Sequence, residues 1–165
     1  MSLNIYNEFE IIQNDLVGVH ALHEFIRSFT ENNKGTGPKI YWLFPVLPIL
    51  FNEESTELIY SRNFNQGSFA KVINEKNDLF ITLQKRMEEF SPKTFNCIYI
   101  ASNSRLFSYD TGTARVFLLR DNSIAANLKG LGNDYQKIIL AAKRLGTWFS
   151  KMSEDELLIY LNIKF

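Results

Sequence analysis

Two histidines three residues apart, His20 and His23, have a spacing at which both imidazoles could bind one metal ion from the same helix. A zinc site needs further ligands, which are usually cysteine, histidine or carboxylate side chains. No cysteine lies near the pair in sequence, and no acidic triad flanks it. We therefore interpret both residues as packed or edge histidines of a helix, and we predict no metal site.

The other groups that could react or bind ions each have a simpler structural interpretation. The single cysteine, Cys97, has no histidine beside it in sequence, so we expect an inert core thiol and not a nucleophile. The acidic run at residues 153–156 could attract a divalent ion, but its S-x-x-E pattern is the capping box of a helix. Asp110 precedes a Thr-Gly pair and is interpreted as a turn residue. These groups are too few for a metal centre or a nucleophile–base pair, so we predict a protein that is not an enzyme and carries no cofactor.

Length and composition indicate one globular unit. A chain of 165 residues, 45% of them hydrophobic, buries roughly 70% of the surface that it exposes when unfolded. We predict a single domain over residues 1–165, with a helical core at 14–103, a β wing at 105–120 and C-terminal helices at 133–161. One cysteine excludes an internal disulfide, and the acidic first ten residues lack the pattern of an export signal. We therefore expect a cytoplasmic protein with no membrane partner.

The most apolar stretch of the chain is residues 40–51, IYWLFPVLPILF, which has no charge and two prolines. It is too short to span a bilayer, which requires about 20 apolar residues. Each proline removes a backbone donor and opposes the preceding helical turn. The pattern predicts a short buried helix, kinked or partly 3₁₀, that other helices surround.

Apolar residues at spacings of three and four predict further helices. The first extends over residues 15–30, with Asn14 as its N-cap. Ser91 followed by Pro92 is typical of a helix start, and we expect a helix from there to about residue 103. In that helix the side chains of Phe95, Ile98, Tyr99 and Ser102 are predicted to line one face.

The hydrophobic period changes after residue 105. Residues 106–110 and 114–119, separated by a Thr-Gly-Thr turn, predict a β-hairpin. A hairpin that directly follows a run of helices is the layout of a winged helix. The predicted fold class is therefore mainly α with a small β-hairpin, a winged-helix-like helical domain with flanking N- and C-terminal helices. Because winged helices also serve as protein-docking modules, the fold alone does not decide the function.

The charges are unevenly distributed although the net charge is zero. Residues 1–60 contain eight acidic and three basic side chains, whereas residues 105–144 contain seven basic and three acidic ones. Such polarity suits a partner surface or DNA on one side, and ordinary solvated faces are the alternative. The residues that we predict to lie near DNA are Arg105, Arg115, Arg120, Lys143 and Arg144. The helix before the hairpin has few groups suited to base edges, so sequence-specific readout is not expected.

Four blocks of sequence resemble one known family. They are HALHEFIRSF at residues 20–29, WLFPVLPILFNEESTEL at 42–58, FSPKTFNCIYIASNSRLFSYD at 90–110 and AAKRLGTWFSKMSEDELLIYLNIKF at 141–165. Together they resemble the middle component of bacterial three-component ABC-ATPase (ABC-3C) conflict systems, the group that includes the Lamassu-type anti-phage systems. The last block is the most specific, because AAKRLG and WF are followed by a short helix and an apolar tail.

The resemblance implies a non-catalytic bridging subunit of an anti-phage defence complex. It would link an SMC-like ABC ATPase to a separate effector, often a nuclease, with DNA reached through the complex, and the family has no catalytic residues to transfer. Because aromatic side chains dominate interface energetics, the candidates for the ATPase contact are Trp42, Trp148, Phe149 and Phe165. Burial of all four in the core is the alternative. The competing function is a freestanding winged-helix DNA-binding transcription regulator.

Overall fold

A computed structural model describes residues 5–64, 66–121 and 132–165 of the chain. These residues form, in chain order, α1 (Ile5–Asn32), a 3₁₀ helix (Ile40–Leu43), α2 (Val46–Leu50), α3 (Glu53–Ser61), α4 (Gln66–Glu75), α5 (Asn77–Ile81), α6 (Leu83–Asn103), β1 (Phe107–Asp110), β2 (Arg115–Leu118), α7 (Asn133–Ser150) and α8 (Glu154–Leu161). The prediction of a mainly α fold with a small β-hairpin is confirmed. The comparison with a winged helix and the single-domain division remain predictions.

The most extensive contact between helices is that of α1 with α7, and small residues bring their backbones together. A Cβ atom added to Gly146 would lie 2.4 Å from the carbonyl oxygen of Phe25. The Ser28 hydroxyl oxygen lies 2.7 Å from the carbonyl oxygen of Lys143, to which it donates, and 2.8 Å from Thr147 Oγ1. Gly146 and the two hydroxyl groups thus permit the close approach of α1 and α7.

The apolar stretch 40–51 forms the 3₁₀ helix and α2, with a break between them. Trp42, Leu43 and every residue of α2 are buried. Pro45 is the N-cap of α2, and Pro48 occupies its first turn. Backbone N–H groups of a first turn have no intrahelical partner, so proline costs little there. The prediction of a short, partly 3₁₀ and buried segment is confirmed.

Two predicted helix boundaries are wrong. The first helix begins at Ile5, so Asn14 lies inside α1 and is not its N-cap. Likewise α6 passes through Ser91 and Pro92 without interruption. Pro92 cannot donate to the carbonyl of Glu88, and the Ser91 hydroxyl donates to that oxygen instead, at 2.9 Å. The hydroxyl thus partly replaces the backbone hydrogen bond that proline removes.

The face of α6 that carries the large aromatic residues is exposed to solvent. Phe95 and Tyr99 are exposed by 61% and 69%, whereas Cys97 and Ala101 are fully buried. The reason is the close approach of α1, because a Cβ atom at Gly18 would lie 2.7 Å from Cys97 Sγ. Only small side chains fit between these helices, so the large aromatic residues face outward.

The predicted hairpin is confirmed, with antiparallel register Phe107↔Leu118 to Asp110↔Arg115. Its turn is closed by Asp110, which accepts hydrogen bonds from Gly112 N at 3.0 Å and from Thr113 Oγ1 at 2.6 Å. These hydrogen bonds hold the pKa of Asp110 below its usual value. Asp110 is therefore the turn residue that the sequence predicts.

The C-terminal segment is fixed to the rest of the fold. Ser153 and Glu156 form the predicted capping box at the start of α8. After α8 the backbone turns at Asn162, whose φ is 53°, and Ile163 is buried. Lys164 N then donates to Gln84 Oε1 of α6 at 3.0 Å. The tail therefore packs against α6 and the core.

Candidate protein interface

The two histidines are used in packing. His20 Nδ1 hydrogen bonds with the Tyr135 hydroxyl of α7, and His23 Nε2 donates to the carbonyl oxygen of Arg120 at 2.7 Å. Burial, and secondarily the neighbouring His23, lower the pKa of His20. Among the described residues no group of three or more His, Cys, Asp or Glu side chains is arranged to hold a metal ion. The pair joins α1 to α7 and to the segment after the hairpin.

The Cys97 thiol is buried against α1. Burial raises its pKa to about 11, and the Asp15 carboxylate contributes to the rise. Its Sγ lies 3.5 Å from the carbonyl oxygen of Asp15. A thiol with this pKa is protonated at neutral pH, so it lacks the thiolate that a nucleophilic cysteine requires.

Three of the four aromatic residues that the sequence suggests for the interface lie in the hydrophobic core. Trp148 stacks on Phe69 at 5.2 Å between ring centroids, and Phe149 makes an edge contact with Phe25 at 5.3 Å. Trp42 packs against Phe149 at 6.0 Å. Because these three side chains are buried, they do not present surface to a partner. Whether any of the four contacts the ATPase stays a prediction, and only Phe165 is positioned to do so directly.

Phe165 is 58% exposed and lies on the rings of the 3₁₀ helix. Its ring centroid is 4.8 Å from that of Tyr41 and 5.2 Å from that of Trp42. The buried indole of Trp42 therefore supports the exposed Phe165 ring. Of these two sequence candidates, Trp42 is the buried member and Phe165 the exposed member of one aromatic cluster.

Sequence reasoning missed the aromatic residues of α6. Ser91, Phe95 and Tyr99 are spaced by four residues and share one helix face. The ring of Phe95 makes an edge contact with Phe44 at 4.9 Å, which connects this face to the segment after the 3₁₀ helix. Periodicity shows an apolar stripe here, but it does not show that the stripe faces solvent.

Two concavities lie between α6 and the tail. The first, about 230 Å³, is lined by Phe44, Met87, Glu88, Ser91, Lys164 and Phe165. The second, about 450 Å³, shares Lys164 and continues towards α8 along Gln84, Leu158, Ile159, Asn162 and Ile163. The exposed α6 face at Phe95 and Tyr99 continues beyond Ser91, and Phe95 contacts Phe44 of the first concavity. We call the two concavities, together with this exposed face at Phe95 and Tyr99, the aromatic groove.

The five basic residues that the sequence places near DNA are divided among three parts of the fold. Arg105 and Arg120 are exposed at the open end of the hairpin, where Arg120 N donates to the carbonyl oxygen of Leu106 at 3.4 Å. Neither side chain forms an ion pair with a described residue. Arg115, near the hairpin turn, donates through Nη1 to the carbonyl oxygen of Gly37 at 2.6 Å.

Lys143 and Arg144 of α7 lie instead beside the connection between α3 and α4. Arg144 Nε donates to the carbonyl oxygen of Arg62 at 2.7 Å, and its guanidinium lies 4.9 Å from the ring centroid of Phe64. Lys143 Nζ approaches the same ring at 6.0 Å. Arg115 and Arg144 thus hold carbonyl groups of the chain itself. Of the five, Arg105 and Arg120 are the exposed pair at the hairpin end that form no ion pair with a residue in 5–64, 66–121 or 132–165.

None of the described helices is both long and apolar enough to cross a membrane.

The comparisons with known proteins give one match. A family model described as ABC-three component (ABC-3C) system Middle Component 3 matches residues 2–165. No curated protein and no solved structure matches the chain significantly. The match spans all four blocks that carry the sequence resemblance.

Proposed function

Because this chain belongs to the Middle Component 3 family of ABC-three component systems, we propose that it is a non-catalytic bridging subunit of an anti-phage complex. It links an SMC-like ABC ATPase to a separate effector of the nuclease class, in a system of the Lamassu kind. The observation that carries the proposal is the presence of two separate exposed surfaces on a fold whose histidines and cysteine are used in packing. The cytoplasm is the compartment where such a complex meets phage DNA.

The aromatic groove is the first of these surfaces. Its three aromatic side chains at Phe95, Tyr99 and Phe165 are each more than half exposed. Contiguous exposed apolar surface of this kind marks interaction sites in soluble proteins. Aromatic residues are also the side chains on which interface free energy concentrates.

The open end of the hairpin is the second surface. It combines the exposed arginines Arg105 and Arg120 with exposed Leu119 and Phe117. Arginine beside apolar side chains is a combination found at interface hot spots. A bridging subunit requires a surface for each of two partners, and we assign the hairpin end and the aromatic groove to these two roles. Any contact with DNA through the complex is assigned to this basic end.

The test is co-expression of the full chain with the products of the neighbouring genes. We expect a complex that contains this chain, an ABC ATPase and a third component. Phe95→Ala with Tyr99→Ala should release one partner and retain the other. Arg105→Glu with Arg120→Glu should do the reverse. Failure of the unaltered chain to copurify with any ATPase would contradict the bridging role.

The measurement of activity in the same preparation tests the non-catalytic role. Nuclease and ATPase activities should appear only when the other components are present. Turnover of nucleic acid or nucleotide by the purified chain alone would refute that part of the proposal.

A freestanding DNA-binding regulator is the second candidate, and the exposed arginines Arg105 and Arg120 of the hairpin favour it. Its test is the affinity of the isolated chain for duplex DNA across salt concentration. Phosphate contacts cause affinity to fall steeply as salt rises. Tight, sequence-selective binding by the isolated chain would support this function over the bridging one.

A further inference from the structure

We propose that the aromatic groove receives an amphipathic α-helix from another component of the same complex. This inference rests on the bridging function proposed above and names the kind of segment that one of the two surfaces accepts. The length of the groove, its charges and the exposed area of its aromatic side chains support this occupant.

The groove has the length of a short helix. Its α6 wall extends over residues 84–99, which corresponds to roughly 22 Å at about 1.5 Å per helical residue. The facing wall is built by Phe44 and by the tail residues Lys164 and Phe165. An exposed strip of about four helical turns, concave where α6 and the tail line it together, fits the apolar stripe of a single helix, the arrangement known as helix-in-groove recognition.

The charges of the groove define the flanks of that helix. Glu88 stands on the α6 wall and Lys164 on the tail wall of the same concavity. Glu88 accepts a hydrogen bond from Gln84 Nε2 at 2.9 Å, and neither charge forms an ion pair within the described residues. The complementary helix therefore carries a basic side chain towards α6 and an acidic one towards the tail, on either side of its apolar stripe. The balanced charges do not suit nucleic acid or an anionic membrane, which require a basic surface.

The open area argues against a second copy of this chain as the occupant. At roughly 200 Å² for a whole aromatic residue, the exposed fractions of 61%, 69% and 58% for Phe95, Tyr99 and Phe165 leave about 400 Å². A stable interface buries about 800 Å² per partner. Two copies that met only through these three side chains would fall well short of that area. A helix entering the groove contacts both walls, and the larger component to which it belongs supplies further contacts.

Site-specific cross-linking in the assembled complex tests the occupant. A photoreactive benzoylphenylalanine replaces Tyr99 in the full chain, and cross-linked peptides are identified by mass spectrometry after co-expression with the neighbouring gene products. We expect cross-links to one segment of another component with apolar residues at spacings of three and four. The same probe at Phe64, which contacts the basic residues of α7, should not reach that segment. Cross-links to a second copy of this chain, or to no component of a complex that does assemble, would overturn the inference.

Charge reversal tests the polarity of the helix. Glu88→Lys should weaken binding of the cross-linked component at least severalfold, and replacement of the facing basic residue of the partner helix by glutamate should restore it. Lys164→Glu should likewise weaken binding, and replacement of the facing acidic residue of the partner helix by lysine should restore it. Lys71→Glu on α4, also at an exposed lysine, is the control and should not change binding. If the unaltered chain forms no complex with the neighbouring gene products, the bridging function is contradicted. If the complex assembles but neither Glu88→Lys nor Phe95→Ala weakens it, only the proposal about the groove is contradicted.

Discussion

Replacement of Gly146 by alanine should destabilise the protein, although alanine is the better helix former. A Cβ atom at this position would lie 2.4 Å from Phe25 O, 2.9 Å from Phe29 N and 2.9 Å from the Ser28 Cβ atom. Carbon atoms in favourable contact stand about 3.5 Å from their neighbours. The added methyl group would therefore require α1 and α7 to separate by roughly 1 Å at their contact. The nearest atoms belong to the backbone, so no side-chain rotation can relieve the clash.

The expected loss combines two opposed effects. Overpacking of a core costs about 1–3 kcal/mol and occasionally more, and contacts with backbone favour the upper end of that range. The higher helix propensity of alanine relative to glycine offsets about 1 kcal/mol of this destabilisation. The net decrease in the free energy of unfolding is about 2 kcal/mol, which lowers Tm by about 4–8 °C in a protein of this size.

Urea and thermal unfolding followed by circular dichroism measure the change. The matched control is Gly67→Ala in α4, where an added Cβ atom would meet nothing within 4 Å. We expect this control to leave stability unchanged or to raise it by up to about 1 kcal/mol through helix propensity. Equal or higher stability of Gly146→Ala would refute the proposed backbone contact between α1 and α7.

Three further predictions concern groups away from the groove. Because burial raises the pKa of Cys97 to about 11, a thiol reagent at pH 8 should react with it only as the chain unfolds in urea; fast labelling of the native protein would contradict the buried position. Ser153→Ala removes the hydroxyl that accepts from Glu156 N at 3.2 Å, and it should lower the free energy of unfolding by about 1 kcal/mol, whereas Ser153→Asp should retain most of it. Burial lowers the pKa of His20 below 6.5, so the unfolded chain binds the proton more tightly. Stability should therefore fall as pH decreases below about 6.5 and level off below the native pKa, and a pH dependence unchanged by His20→Gln would exclude this cause.

The parts of the fold that the sequence predicts well are those in which local signals and packing agree. The capping box at Ser153 and the Thr-Gly-Thr turn after Asp110 each form in the structure as their residue types require. The hydrophobic stripe of α7 likewise carries Leu145, Trp148 and Phe149 into the core. In these places a single local pattern specifies the conformation.

At the two wrongly predicted helix boundaries, the local capping signal is weaker than the apolar periodicity of the surrounding residues. Ile5, Phe9 and Ile12 continue the spacing of the stripe that follows Asn14, so the longer α1 is visible in the sequence. The stripe of Leu83, Met87, Cys97 and Ala101 crosses Pro92 on one buried face. Packing along that whole face favours one continuous helix. Pro92 lies on the exposed side, where it removes a single backbone hydrogen bond.

The exposed face of α6 could not be predicted from the sequence in the same way. Its two stripes, one with Phe95 and Tyr99 and the other with Cys97 and Ala101, have the same helical period. Size alone would place the aromatic side chains inside. The choice depends on α1, which approaches through Gly18 and leaves room only for small side chains. That contact joins residues distant in sequence, and no local pattern contains it.

The buried aromatic candidates still bear on the interface, because they fix the position of the one that is exposed. Phe149 of α7 contacts Trp42 at 6.0 Å, and Trp42 contacts Phe165 at 5.2 Å. The C-terminal block of the family resemblance thus contains both a core residue and a wall residue of the groove, joined through the 3₁₀ helix. The tail is held on its other side by Gln84 of α6. Since both walls of the groove are anchored to the core, it is formed before a partner arrives, and a helix that enters it loses little free energy to ordering of the groove.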